Sequence, residues 1–579
     1  MPPHSSPISR LIHQWAPLRH IWVVGACVII ASCSNTPTAL VTQPNTAPKT
    51  LINSSLNHLL AGEFSLYRGD SQAAAEHLLA AAQATQDLNT TKRATYAAKV
   101  AKNPHLLKQA SVLWSQLAPK DPLPWQYIAQ AESLNKNFGP AAVALEQELK
   151  RGGGAGVVYV ANLGINETED IQKRLRERFY TWLQSYPKHK HLLYSLATLT
   201  RNSEPFDIAI GYTSQALAVD PHYLKAQILY GELLLASHQT TAADNYLSQH
   251  TSPLDKAHRH LLALHAQVLT LTAQYERAYR YFNELVRRFP NDLSFRYSAG
   301  LLAYETQKYT LAQAHFEQAI KTHPQSHSAY YYLGLGALEQ EFIEQAISYF
   351  HKVTTGAERI NAITMLANLE QPTGTETAHY FLQWRQQHPD LSADIYQVQA
   401  QYSLGLGDIE SATNAFETAL KKHPNHVALL YSYALLAQSL LQYDTTEHLL
   451  ARIIEIDPNH INALNALGYS YAEQGINLNH AESLIRRALQ HEPENAAIID
   501  SLGWVTYRQG HLRKALALLS KAYDILPDTE IAAHLGAVQW ALGDIDGAFN
   551  TWNAALKLDP NSSLIKQAIL DAQNDFQND

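Results

Sequence analysis

Along most of the chain, small and apolar residues fall on helical spacings, and the helical stretches come in pairs. Residues 496 to 527 show the logic. Ile499, Leu502, Gly503 and Thr506 share one face of a first helix. Beyond Gly510, Ala515, Leu519 and Ala522 share one face of a second, and Pro527 closes the stretch. Gly503, Ala515 and Ala522 are small, as a close crossing of two helices requires, and the larger residues fill the space between crossings. Gly510 suits a helix C-cap and a tight turn. A proline at the end stops one helix where the next must begin.

The same arrangement recurs. Pro389, Pro424, Pro458, Pro493, Pro527 and Pro560 lie 35, 34, 35, 34 and 33 residues apart, and Pro290 and Pro324 are 34 apart. One neighbour of the 496–527 stretch carries Leu535, Gly536, Gly543, Ala548, Trp552, Ala555 and Pro560. The other carries Leu467, Gly468, Tyr471, Ala481, Ile485, Ala488 and Pro493. Earlier stretches keep Ala312, Phe316, Ala319 and Pro324, then Ala412, Phe416, Ala419 and Pro424. A period near 34 residues means a stacked helical array.

These residues resemble the tetratricopeptide repeat, with its Trp/Leu-Gly-Tyr first helix and Ala-Phe-Ala-Pro second helix. The resemblance runs from about residue 54 to 560, in about 14 units. It is close over 293–560 and degenerate over 54–292, where Ala73, then Ala110, Trp114 and Pro122, hold the phase. It implies an all-α solenoid, a right-handed superhelix of helix-turn-helix repeats with a long concave surface. Residues 151–170, with the glycine-rich run Gly152-Gly153-Gly154-Ala155-Gly156, interrupt the pattern and predict a shortened first helix and a flexible connection. Residues 561–579 are expected to form a C-terminal capping helix and tail.

The first 53 residues are of another kind. Arg10 and Arg19, with no acidic residue around them, precede the apolar run of residues 21–30, which is the layout of a signal peptide and short for a spanning helix. The run leads into Ile30-Ala31-Ser32-Cys33, which resembles a bacterial lipobox. A second frame ending at Cys27 stays open, with fewer apolar residues before it. The resemblance implies removal of residues 1–32, diacylglycerol and acyl lipid on Cys33, and a tether over 33–53. It points to the periplasmic face of the outer membrane, because Ser34 stands where aspartate would favour retention at the inner one.

The net charge of −8 argues against nucleic-acid binding, which usually needs a basic face. Two cysteines, Cys27 and Cys33, cannot build a disulfide framework or a cysteine-based zinc site. The glycine run lacks the Lys-Ser/Thr of a phosphate loop. His323, His388 and His423 stand beside prolines and are expected to be exposed turn residues; His189 and His191 are a thin basis for a metal site. The run Lys173 to Arg178 reads as a solvated helix face. No catalytic residue, cofactor or metal is expected.

In the resembled fold, the second, fifth, ninth and twelfth places of each first helix line most of the groove. Mapped here, the candidate partner-binding residues are Tyr297, Tyr304, Tyr331, Tyr431, Tyr469, Asp500, Trp504, Tyr507, Arg508 and Trp540. Tyrosine and tryptophan offer large contact area at small entropic cost. Anchor and array together resemble the outer-membrane lipoprotein adaptors of periplasmic carboxyl-terminal processing proteases. The implied partners are such a protease and its peptidoglycan-hydrolase substrates, and a homo-oligomer is compatible with the array. The alternative is a structural assembly factor for a secretion, pilus or envelope polysaccharide system.

Overall fold

The computed structural model describes residues 55–202 and 205–578. The leader, Cys33 and the tether to residue 53 lie outside the described residues. Among those described there are 31 α-helices and a short 3-10 turn, with no strand. None of these helices is long and apolar enough to cross a membrane. The chain divides into two compact units, Met1–Glu341 and Phe342–Asp579.

The spacing of small residues explains why the helices pair. A Cβ on Gly503 would stand 2.6 Å from Leu519 Cγ, and one on Gly468 would stand 2.6 Å from Ile485 Cγ1. A Cβ on Gly536 would run into the Trp552 indole. In each case the glycine lies on a first helix and the large side chain on the second. Ala515 and Ala522, Ala548 and Ala555, and Ala481 and Ala488 are fully buried at the same crossings. Leu519 and Trp552 are buried between them, each stabilising its pair by about 2–3 kcal/mol.

The turns follow from local chemistry. Gly407, Gly510 and Gly543 close first helices at φ of 76°, 84° and 83°, in the left-handed region. The proline that follows a second helix ends it, and a capping residue opens the next first helix two positions on. After Pro493, Asn495 accepts the backbone N–H groups of Ala497 and Ile498 at 3.0 and 3.3 Å. After Pro290, Asp292 caps Ser294 and Phe295 in the same way. Stacked pairs share their cores: in the second unit one buried apolar cluster extends from Ala393 to Val505. The chain ends in the Ser563–Asn578 helix, whose Ile565 is buried in the Trp552 cluster.

Two expectations need correction. The glycine run of residues 152–156 is a packed junction rather than a flexible one. A Cβ on Gly153 would stand 2.6 Å from Glu148 Cγ and 2.7 Å from Pro122 Cβ, and one on Gly154 would strike the His189 ring. Glu148 Oε1 accepts the Gly156 N–H at 3.0 Å, at the start of the short Ala155–Gly164 helix. His189 Nε2 lies 3.0 Å from the Gly153 carbonyl. Glycine is needed at 153 and 154 because Glu148, Pro122 and His189 occupy the space a Cβ would take. His388 is also buried: it caps the Thr375–Gln387 helix, its N–H bonding the Trp384 carbonyl, and the four-residue spacing stacks its ring 5.8 Å from the Trp384 ring.

Candidate functional site

Three successive first helices of the second unit, Ile461–Gln474, Ala496–Arg508 and Thr529–Ala541, bring side chains together on one face. The helical repeat explains the convergence, since residues about 34 apart hold equivalent places on neighbouring first helices. Asp500 and His534 lie on consecutive first helices, His534 one place beyond the equivalent of Asp500 in the 33-residue offset that relates Gly503 to Gly536. His534 Nδ1 lies 3.0 Å from each carboxylate oxygen of Asp500, and both residues are buried. The imidazole stacks on Trp504, centroids 4.2 Å apart and planes at 20°. Trp504 in turn stacks on Tyr507 at 5.0 Å.

The rim of this stack is polar. Trp504 Nε1 donates to Glu473 Oε1 at 2.5 Å, reaching back one repeat. Arg508 donates to the Glu473 carbonyl at 2.9 Å, with its guanidinium 6.0 Å from the Trp504 ring. The Tyr469 hydroxyl spans two repeats to donate to Glu530 Oε1 at 2.9 Å, and it lies 3.5 Å from His534 Nε2. Glu473, Arg508 and Glu530 are exposed, whereas Tyr469, Trp504 and Tyr507 are half-buried.

Charge follows from this packing. Burial draws the His534 pKa down, but the hydrogen bond to Asp500 and the charges of Asp500, Glu530 and Glu473 outweigh it. The imidazole is held above its ordinary value. The Tyr469 phenol is pushed up, first by burial and then by Glu530 and Glu473. The result is a flat aromatic surface edged by two carboxylates and a guanidinium. It is backed by the buried, hydrogen-bonded pair of Asp500 and His534.

Of the sequence-predicted residues, Tyr469, Asp500, Trp504, Tyr507 and Arg508 meet in this cluster. Trp540 packs elsewhere, 6.0 Å from Phe549 and 6.4 Å from Trp552. Tyr431 stands 6.0 Å from the His460 ring. In the first unit, Tyr297 bonds Ser326 through its hydroxyl and meets Phe316 edge-on at 5.9 Å. Tyr304 is set against Tyr309 and Tyr332 at 5.5 and 6.2 Å, where burial pushes its phenol pKa up. Tyr331 meets Tyr332 edge-on at 5.5 Å. The sequence reading missed Glu473, Glu530 and His534. For His534 the available signal was an acid and a base one repeat apart. Among the described residues, no group of three or more His, Cys, Asp or Glu is placed to hold a metal ion.

This geometry is that of tetratricopeptide repeats, and residues 272–312, 297–357 and 398–459 match the tetratricopeptide repeat family model. Those segments carry tetratricopeptide repeats, and the described residues are all-α. Over 200 residues it is 32% identical to the TPR repeat-containing protein PA4667 of Pseudomonas aeruginosa, covering 34% of each chain. Over 172 residues it is 27% identical to the aspartyl/asparaginyl beta-hydroxylase of Mus musculus, covering 29% of this chain and 20% of that one. The chain thus spans about a third and a fifth of these relatives' lengths. Among solved structures, the APC/C hetero-tetramer Cut9–Hcn1 aligns with 90% of this chain and 97% of its own at 13% identity, with a TM-score of 0.34.

Proposed function

We propose that the protein is a non-enzymatic adaptor. Lipid on Cys33 holds it at the periplasmic face of the outer membrane, and it binds periplasmic proteins on the face formed by its first helices. The partners are a carboxyl-terminal processing protease and its peptidoglycan-hydrolase substrates. Two partners on one anchored scaffold would meet at an effective concentration of ~mM, which makes weak interactions productive. The observation that carries the binding role is the surface of Tyr469, Trp504, Tyr507 and Arg508. It is built from three repeats, half-open to solvent and held rigid by Asp500 and His534. Rigid, amphipathic aromatic surface of this kind binds polypeptide with little loss of side-chain freedom. The lipid anchor rests on the Ile30-Ala31-Ser32-Cys33 motif.

The test uses changes that leave the Asp500–His534 support in place. Arg508→Glu reverses an exposed rim charge, and Ala537→Arg adds a long cation at a half-buried position of the Thr529–Ala541 helix, one turn beyond His534; neither replaces a member of the buried pair. Wild type and variant are recovered from mildly crosslinked envelope extracts. The wild type is expected to bring down the protease and hydrolases, and the variant to lose them with its melting unchanged. Equal recovery by both removes the binding face from the account. Recovery of secretin or export components reassigns the partners to an assembly system. Separately, Cys33→Ala is expected to leave the membrane fraction.

A further inference from the structure

Between residues 392 and 558 the second unit separates its charges by helix. The five first helices, from Ser392–Gly405 to Thr529–Ala541, carry four acids and one lysine or arginine, Arg508. The five second helices, from Ile409–Lys422 to Ile545–Leu558, carry nine lysines and arginines against eight acids. The aromatic cluster lies where the first-helix acids gather, since Glu473, Asp500 and Glu530 all bond its members. With the cations held on the second helices, the face of the first helices is left attractive to positive charge.

Glu473 and Glu530 are exposed, and each gives one oxygen to a neutral donor. Glu473 Oε1 accepts the Trp504 indole N–H at 2.5 Å, and Glu530 Oε1 accepts the Tyr469 hydroxyl at 2.9 Å. These bonds hold both carboxylates beside half-buried Tyr469, Trp504 and Tyr507 and leave each Oε2 open to a further donor. Two cationic side chains already face the cluster. His534 is buried and committed to Asp500 through Nδ1. Arg508 donates to the Glu473 main-chain carbonyl rather than to its carboxylate, with the guanidinium 6.0 Å from the Trp504 ring. Arg508 thus exemplifies the group this surface accepts, and it leaves the Glu473 and Glu530 side chains without an ion-pair partner among the described residues.

We infer that this face recognises an arginine-bearing segment of a partner protein, whose guanidinium pairs with Glu473 and Glu530 and packs on the exposed parts of the Tyr469, Trp504 and Tyr507 rings. The inference rests on the protein-binding reading of this face and adds the chemistry of the partner to it. Arginine suits the place better than lysine, because its planar fork bonds carboxylate oxygens while its flat face lies on aromatic rings. An acidic segment meets repulsion from the same two carboxylates.

The experiment uses the full chain, purified from envelopes in detergent, with fluorotryptophan in place of tryptophan. Fluorine NMR follows the Trp504 signal, assigned with Trp504→Phe. The probes are acetyl-arginine methylamide and its neutral isostere, acetyl-citrulline methylamide. The expected result is a saturable Trp504 shift with the arginine probe and about tenfold weaker binding of the citrulline probe. Glu473→Gln with Glu530→Gln keeps the hydrogen-bond acceptors and should erase that preference with melting unchanged. Glu410→Gln with Asp524→Asn removes two exposed charges from second helices and should retain it. Equal responses to the two probes, no response, or a preference that survives in the Glu473→Gln, Glu530→Gln variant overturns the arginine site. Partner recovery from crosslinked envelopes tests the adaptor reading separately. Partners recovered by a wild type that shows no arginine preference overturn this inference and leave the adaptor standing. An arginine preference without any recovered partner overturns the adaptor, and the partner inferred for this face with it.

Discussion

Replacing Asp500 with asparagine probes the support beneath the Trp504–Tyr507 aromatic cluster. His534 is 6% exposed, and Asp500 neutralises it through two contacts of 3.0 Å. Asparagine keeps the shape and one acceptor but removes the charge. Breaking a buried pair by removing one partner costs about 3–5 kcal/mol. A retained neutral hydrogen bond returns about 1 kcal/mol, which leaves about 3 kcal/mol while His534 is protonated. The folded pKa of His534 lies above its ordinary value, so its contribution is complete below about pH 6.5 and is lost as pH rises through the folded value. The expected cost of the substitution therefore falls to about 1 kcal/mol at high pH, where the imidazole is neutral in both proteins. Local opening is the appropriate observable, because a repeat array need not unfold as one unit. Amide exchange in the Thr529–Ala541 helix, taken as a ratio of variant to wild type, should rise on the order of 100-fold at pH 6 and about fivefold at a pH above the folded value of His534. An equal ratio at both pH values, or none, would refute a charged His534 as the support.

Trp504→Ala removes the ring shared by His534 and Tyr507 and should cost about 2–3 kcal/mol of local stability, while Trp504→Phe should cost about 1 kcal/mol; exchange in the same three first helices decides between them. Gly536→Ala places a Cβ against the Trp552 indole, an overpacking cost of about 1–3 kcal/mol that exceeds the helix-propensity gain of about 1 kcal/mol. Pairing it with Trp552→Leu should recover part of the loss in a double-mutant cycle. Glu148 is pushed up to about 7, chiefly by burial, against the backbone N–H groups of Gly156, Gly154 and Ala155. Its folded form favours the proton, so its contribution is complete below about pH 4.5 and is lost as pH rises through 7. Urea unfolding of wild type should show up to about 3 kcal/mol of that loss between pH 5 and 8, and Glu148→Gln should flatten it; equal pH profiles would dismiss the assignment.

Much of the helical layout was legible because close packing leaves a periodic mark. Gly468, Gly503 and Gly536 face Ile485, Leu519 and Trp552, and only small residues at fixed intervals permit those crossings. Part of the aromatic cluster was legible for the same reason, since Tyr469, Asp500 and Trp504 hold recognisable places within each period. His534 escaped because it lies between the expected groove places, and its importance comes from Asp500 on the neighbouring repeat. Glu473 and Glu530 became visible only when side chains could be followed across two repeats. Trp540 holds a groove place by spacing, but nearby Phe549 and Trp552 give its large ring an apolar neighbourhood to pack against. The glycine run misled because a lack of side chains reads equally well as freedom or as crowding, and Glu148 and His189 decide for crowding.

The most direct measurement is site-specific photocrosslinking in intact envelopes. A photoreactive residue replaces Arg508 on the rim of the cluster or Lys514 on the neighbouring second helix, both exposed. The account predicts partner-protein adducts from position 508, lost when Ala537→Arg is added, and few from position 514. Adducts from position 514 alone, or a position-508 adduct indifferent to Ala537→Arg, would contradict it.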